Sequence, residues 1–179
     1  MVKISSQFDG GRIEVVKADN PSDLQVKIDH DSHSEFRQWF HFRVQGIKNQ
    51  DCVLRFLNAS ETSYVERWKD YDVCASTDRL EWFRIPTEFD GKQLTVEFNT
   101  DTDDIYFAYF APYSFERHLN LLAFAQQSAL CSLQNLGETL DGRDFDLLVI
   151  EDEEVDLTDK LNVWMIARQH PGETMAEWF

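Results

Sequence analysis

The sequence predicts a β-rich protein, an antiparallel β-sandwich followed by the beginning of an α/β domain. Three observations predict it. Through the first 112 residues short β-like runs alternate with turn signals; after Pro112 the apolar period lengthens to that of a helix; two further apolar runs then flank an acidic turn. The chain accordingly divides into a sandwich over 1–112 and a partial α/β region over 113–179.

In the first region the runs 11–16 and 24–28 are separated by Asn20-Pro21-Ser22-Asp23, a turn tetrad. Residues 39–44 alternate, with Phe40, Phe42 and Val44 on one face and Trp39, His41 and Arg43 on the other. After a polar loop come 53–57, 71–75, 82–85, 94–98 and 105–110. The period of two is clean in Leu94-Thr95-Val96-Glu97-Phe98, and Phe89-Asp90-Gly91-Lys92 supplies a turn before it. About eight short strands at this spacing read as an antiparallel sandwich. Past Pro112, Ser114 is placed to cap a helix over 115–129, in which Phe115, Leu119 and Leu122 share a face. The runs 145–149 and 161–167 are expected as neighbouring strands of a second sheet, and 174–179 starts a helix-like segment with no stop signal. That last segment reads as cut off within an element, and the uncovered sheet edge it leaves is a candidate surface for self-association.

The 179 residues include 14 Phe, 5 Trp and 5 Tyr among 42% hydrophobic residues, enough for a packed core, and only 7 Gly and 4 Pro. Disorder and collagen-like structure are excluded on that composition. A net charge of −16 repels phosphate backbones, so no nucleic-acid partner is expected. The N-terminus lacks the apolar core of a secretory signal, and no apolar stretch is long enough to span a membrane, so no membrane partner is expected. Cys52, Cys74 and Cys131 form an odd set without CxxC spacing and read as small buried apolar residues in a reducing, cytoplasmic compartment. Trp39, Trp68 and Trp82 read as core or half-buried packing, with Arg67-Trp68-Lys69 a small basic-aromatic spot. Glu151-Asp152-Glu153-Glu154-Val155-Asp156 reads as a solvated turn, and Asp101, Asp103 and Asp104 as a polar hairpin tip lacking the Gly and distal Glu of a calcium loop.

Chemistry concentrates in His170-Pro171-Gly172-Glu173, which follows the apolar run 161–167. A strand ending in a tight turn would carry His170 out at the carboxyl edge of a sheet and bring Glu173 beside it, where open α/β sheets gather ligands. Imidazole and carboxylate suit zinc, with two coordination positions left over. Pro171 stiffens such a turn and Gly172 lets it fold tightly. On spacing alone this HxxE pattern is weak, and the plainer reading is a His capping a strand end and a Glu favouring a helix N-terminus. A second histidine pair, His30-Asp31-Ser32-His33, lies in a loop.

The segment Ile166-Ala167-Arg168-Gln169-His170-Pro171-Gly172-Glu173-Thr174-Met175-Ala176-Glu177-Trp178 resembles the zinc-binding signature of the zinc carboxypeptidases, in their cytosolic-carboxypeptidase-like branch. Upstream, Trp39-Phe40-His41-Phe42-Arg43-Val44 and residues 71–87 are similar to the amino-terminal sandwich of that branch, closest to bacterial members. Tyr106-Phe107-Ala108-Tyr109-Phe110-Ala111-Pro112-Tyr113-Ser114 is similar to the join between sandwich and catalytic domain. The resemblance implies that His170 and Glu173 are two of three protein ligands to one zinc ion. It implies a substrate of peptide or protein C-terminal tails. The family's third ligand (another His), its carboxylate-gripping Arg and its general-base Glu lie downstream of this motif. The chain is therefore expected to hold no catalytic residue of its own, to bind zinc weakly or not at all, and to be inactive alone. The remaining histidines, His30, His33, His41 and His118, match no ligand position of the family. The alternative is a non-catalytic β-sandwich interaction module with an incidental HPGE.

Overall fold

The computed structural model describes residues 1–170 and 172–179; Pro171, and with it the expectation that it stiffens the turn, lies outside the described residues. Two compact units result, Met1–Pro112 and Tyr113–Phe179.

In the first unit ten strands build two five-stranded sheets. They are β1 (Lys3–Ser5), β2 (Glu14–Lys17), β3 (Leu24–Lys27), β4 (His41–Gln45), β5 (Cys52–Phe56), β6 (Val73–Ser76), β7 (Phe83–Ile85), β8 (Thr87–Phe89), β9 (Leu94–Phe98) and β10 (Asp104–Ala108). One sheet runs β1-β4-β10-β6-β7 and the other β2-β3-β5-β9-β8. The alternation read from the sequence is realised: Phe40, Phe42 and Val44 are fully buried, as are Leu94 and Val96. The inner faces interlock through rings, Phe40 on Phe56 at 4.7 Å and Phe98 on Phe107 at 5.0 Å. The chain passes from one sheet to the other between β7 and β8 at Pro86, which has no N–H to offer a ladder and sits between two edge strands.

The sandwich departs from its expected form in three places. The pair β3–β5 is parallel, Leu24 opposite Leu54 and Val26 opposite Phe56, because β4 between them in sequence crosses to the other sheet. The strands β1 and β8 were not expected: each has three residues, too few to show a period. His41, expected opposite the core with Trp39, is itself only 2% exposed.

In the second unit, α1 (Phe115–Ala125) begins where expected, the Ser114 side chain accepting from the Arg117 N–H at 3.2 Å. It stops four residues short of the expected end. The amides of Gln127 and Ser128 turn to Phe124 and Ala125 three residues back, tightening the chain out of the α-helix. The expected strand at 145–149 is β12 (Asp144–Ile150), but its partner is β11 (Cys131–Glu138), with Leu133 opposite Leu148. Strand β11 is not evident in the sequence because its leucines, Leu133 and Leu136, break the period of two and Gly137 sits at a register shift with φ +139°. The run 161–167, expected beside β12, forms no strand, and among the described residues no strand pairs with it. Without a ladder partner its backbone has no reason to extend, and Leu161, Val163, Trp164, Met165 and Ile166 are exposed. The tail 174–179 is a short 3-10 helix, Thr174–Trp178.

Cys52 and Cys74 are buried, Cys131 is half-buried, and all three are free thiols. Burial pushes the Cys52 and Cys74 thiols up, the direction of inert packing residues. Trp68 is buried and Trp39 and Trp82 are half-buried, the packing the sequence implied.

Candidate metal centre

His170 and Glu173 close a turn: the Glu173 N–H donates to the His170 carbonyl at 2.9 Å. That bond holds the two α-carbons at turn spacing. Both residues are exposed. Glu173 occupies the N-cap position of the 3-10 helix, yet its side chain makes no capping hydrogen bond. Among the described residues neither side chain is held in a hydrogen bond or ion pair, so the carboxylate and the imidazole keep their lone pairs for a ligand.

The flanks of the turn are anchored inside the second unit. Arg168, at φ +52°, reaches across to Glu177 with Nη1 3.1 Å from Oε1. Trp178 packs edge-on against Tyr113 with ring centroids 5.3 Å apart, and the Arg117 guanidinium lies 4.4 Å over its indole. Burial pushes the Tyr113 phenol up, and the nearby Glu177 carboxylate adds to it. The turn is thus tied at its entry by an ion pair and at its exit to the first turn of α1.

No group of three or more His, Cys, Asp or Glu capable of holding a metal occurs among the described residues. The donor types at 170 and 173 fit zinc, and a zinc site of the catalytic, open kind would need at least one more protein ligand. The other histidines are occupied or remote in character. His118 Nε2 is 3.1 Å from Asp146 Oδ2. His30 contacts the Glu35 carbonyl through Nδ1 at 3.0 Å and Arg37 through Nε2 at 2.7 Å, which leaves the His30/His33 loop no free pair of imidazoles. His41 is buried beneath Phe8 on the outer face of its sheet.

The family model of the cytosolic carboxypeptidase N-terminal domain matches residues 4–110, nearly all of the sandwich. The chain belongs to the cytosolic carboxypeptidase family. It is 28% identical over 202 residues to human cytosolic carboxypeptidase 2, covering 97% of this chain and 22% of that one. An uncharacterized protein of Zymomonas mobilis is 40% identical over 178 residues, 99% of this chain and 45% of its own length. A metallo-carboxypeptidase from Burkholderia cenocepacia, solved as a crystal structure, matches with a TM-score of 0.94 and 46% identity over 99% of this chain and 47% of its own. A Pseudomonas aeruginosa metallo-carboxypeptidase, solved with (2-guanidinoethylmercapto)succinic acid, matches at a TM-score of 0.89 and 36% identity over 98% of this chain and 46% of its own. The chain spans about half the length of these bacterial relatives, or less, and it corresponds to their amino-terminal portion.

Proposed function

We propose that the chain is the N-terminal part of a zinc metallo-carboxypeptidase that removes residues from peptide or protein C-terminal tails in the cytoplasm. The single observation that carries this reading is the 2.9 Å bond closing the His170–Glu173 turn, with both side chains exposed and uncommitted. The membership in a family of metallo-carboxypeptidases supports it.

His170 as a neutral imidazole and Glu173 as a carboxylate would hold the zinc ion. When bound, zinc supplies Lewis acidity that activates water and polarises the terminal peptide carbonyl. The protein's own part is geometric. The backbone bond between 170 and 173 holds the two α-carbons at turn spacing, the Arg168–Glu177 pair ties the entry of the turn, and the stack of Trp178 on Arg117 and Tyr113 ties its exit. Exposure of both donors leaves the remaining coordination positions open to further ligands. A C-terminal specificity requires a cation to grip the free carboxylate bidentately, and a second carboxylate to move the proton from water to the leaving amine. The family resemblance assigns both to positions downstream of the His170–Glu173 motif. The purified 179-residue chain with added zinc is therefore expected to release no C-terminal amino acid from a panel of peptides. Zinc-dependent release, abolished by a chelator, would contradict the assignment of the catalytic groups.

A further inference from the structure

The sandwich contains a buried histidine that the proposed peptidase chemistry does not use. His41 opens β4 and is 2% exposed, and among the described residues neither Nδ1 nor Nε2 has a hydrogen-bond partner. Its ring is walled by aromatic groups: Phe8 at 4.8 Å and 72°, Trp82 at 5.7 Å and 68°, Trp39 at 6.2 Å and 78°, and Tyr106 at 6.4 Å. Such edge-on rings accommodate a neutral imidazole and offer nothing that replaces the hydration of an imidazolium.

One wall is a strap. Residues 6–13 run from β1 across this face and bring Phe8 onto the imidazole. The strap is tied to the sheet beside it through Trp39 and His41. The Trp39 indole donates to the Gly10 carbonyl at 2.8 Å, and Arg12 and His41 exchange backbone bonds of 2.8 and 3.1 Å. The charges around the ring come from every element that packs there. Arg79 lies over the Phe8 and Tyr106 rings at 5.7 and 5.5 Å. Asp9 is on the strap and acts on the ring in the opposite sense to Arg79. Arg12 pairs with Asp29 at 3.0 Å, and Arg43 with Asp104 at 3.9 Å. The Asp78 carboxylate is turned onto the Leu80 and Glu81 amides of its own loop, and the Arg84 guanidinium donates to the Asp72 carbonyl.

We propose that residues 6–13 form an acid-sensitive latch over His41, closed while the imidazole is neutral and released when it takes up a proton. Burial, reinforced by Arg79, pushes the closed imidazole down to about 3, against an ordinary value of 6.5. Lifting Phe8 restores water to the ring and returns it to the ordinary range, so protons bind the open form preferentially. The population of that form then rises by up to about tenfold for each pH unit below about 6.5. Because the strap meets the ring through Phe8 and the sheet through the Arg12–His41 backbone bridge, release uncovers this outer face and leaves the core between the sheets packed.

Backbone hydrogen exchange of the whole chain between pH 7.5 and 4.5, corrected for the intrinsic rate, tests the latch. Protection of amides 8–13 is expected to fall steeply below about pH 6.5, while amides of β5 and β9 keep theirs; in His41→Phe the strap becomes insensitive to pH. The ring resonances of His41 in the unmodified chain give a second readout independent of any variant: the imidazole should titrate together with the loss of strap protection. Strap protection constant within about twofold over that range would overturn the proposal. So would loss of protection in β5 and β9 in step with the strap, or titration of His41 beneath a strap that stays protected.

Discussion

At the residue scale, two buried polar groups hold positions that apolar packing alone would leave undefined. Trp68 is 1% exposed, and its indole N–H donates to the Ala59 carbonyl at 3.0 Å and to Thr62 Oγ1 at 2.7 Å. Trp68→Phe keeps most of the ring volume but takes the indole donor from Thr62 Oγ1, while the Ala59 carbonyl keeps the Thr62 hydroxyl at 2.8 Å, so a loss of about 1–3 kcal/mol is expected in urea denaturation. Trp68→Ala adds a cavity and should cost about 3–5 kcal/mol. Asn58 copies a backbone unit: its Nδ2 donates to the Ile28 carbonyl and its Oδ1 accepts from the Ile28 N–H, both at 2.9 Å. Asn58→Ala leaves those two buried groups without partners, with an expected loss of about 2–4 kcal/mol in the same measurement. An unchanged denaturation midpoint for Asn58→Ala would mean that water replaces the amide. Neither role was legible in the sequence. The burial of Trp68 was readable, but a hydrogen-bond partner nine residues away or thirty residues away is a product of the fold. His41 shows the same limit: alternation placed it correctly on the face away from the core, and only the strap that folds back over that face buries it.

At the element scale, the strands whose sequences alternate were legible and those whose partners decide them were not. The four-residue pattern of buried and half-buried positions in β3 and the five-residue pattern in β5 follow from period two alone. Strand β11, with seven of its eight residues exposed, takes its conformation from β12 rather than from its own pattern. The run 161–167 is the converse. Its apolar sequence fits a strand buried on both faces, and without neighbours it stays exposed and irregular. This unit therefore displays Leu133, Phe145 and Ile150 on its hairpin, and Trp164 at 75% exposure beyond it. The expected consequence is self-association of the chain. Light scattering after size exclusion should give an average mass that rises with loading concentration, and the double variant Phe145→Glu/Trp164→Glu should lower it towards 21.0 kDa. A mass at the monomer value across the whole concentration range would contradict that expectation.

At the scale of the whole molecule, the sandwich is matched by its family model from residue 4 to residue 110, and the His170–Glu173 turn lies in the other unit, after residue 112. The HPGE tetrad was legible because it is a local feature: four consecutive residues bring both donors to one turn without help from distant contacts. The anchoring of that turn was not legible, because the Arg117–Trp178 stack joins residues sixty-one positions apart in sequence. With 33 acidic residues in the chain, zinc has many single carboxylates to visit, and the account depends on one pair of donors outcompeting them. The most direct measurement is a zinc titration of the 179-residue chain followed through the imidazole nitrogen resonances of all five histidines. The account predicts that the His170 signals move at the lowest zinc concentration, and that Glu173→Ala weakens this response roughly tenfold, a change of about 1.4 kcal/mol. Movement of His30, His33 or His118 while His170 stays unchanged would contradict it.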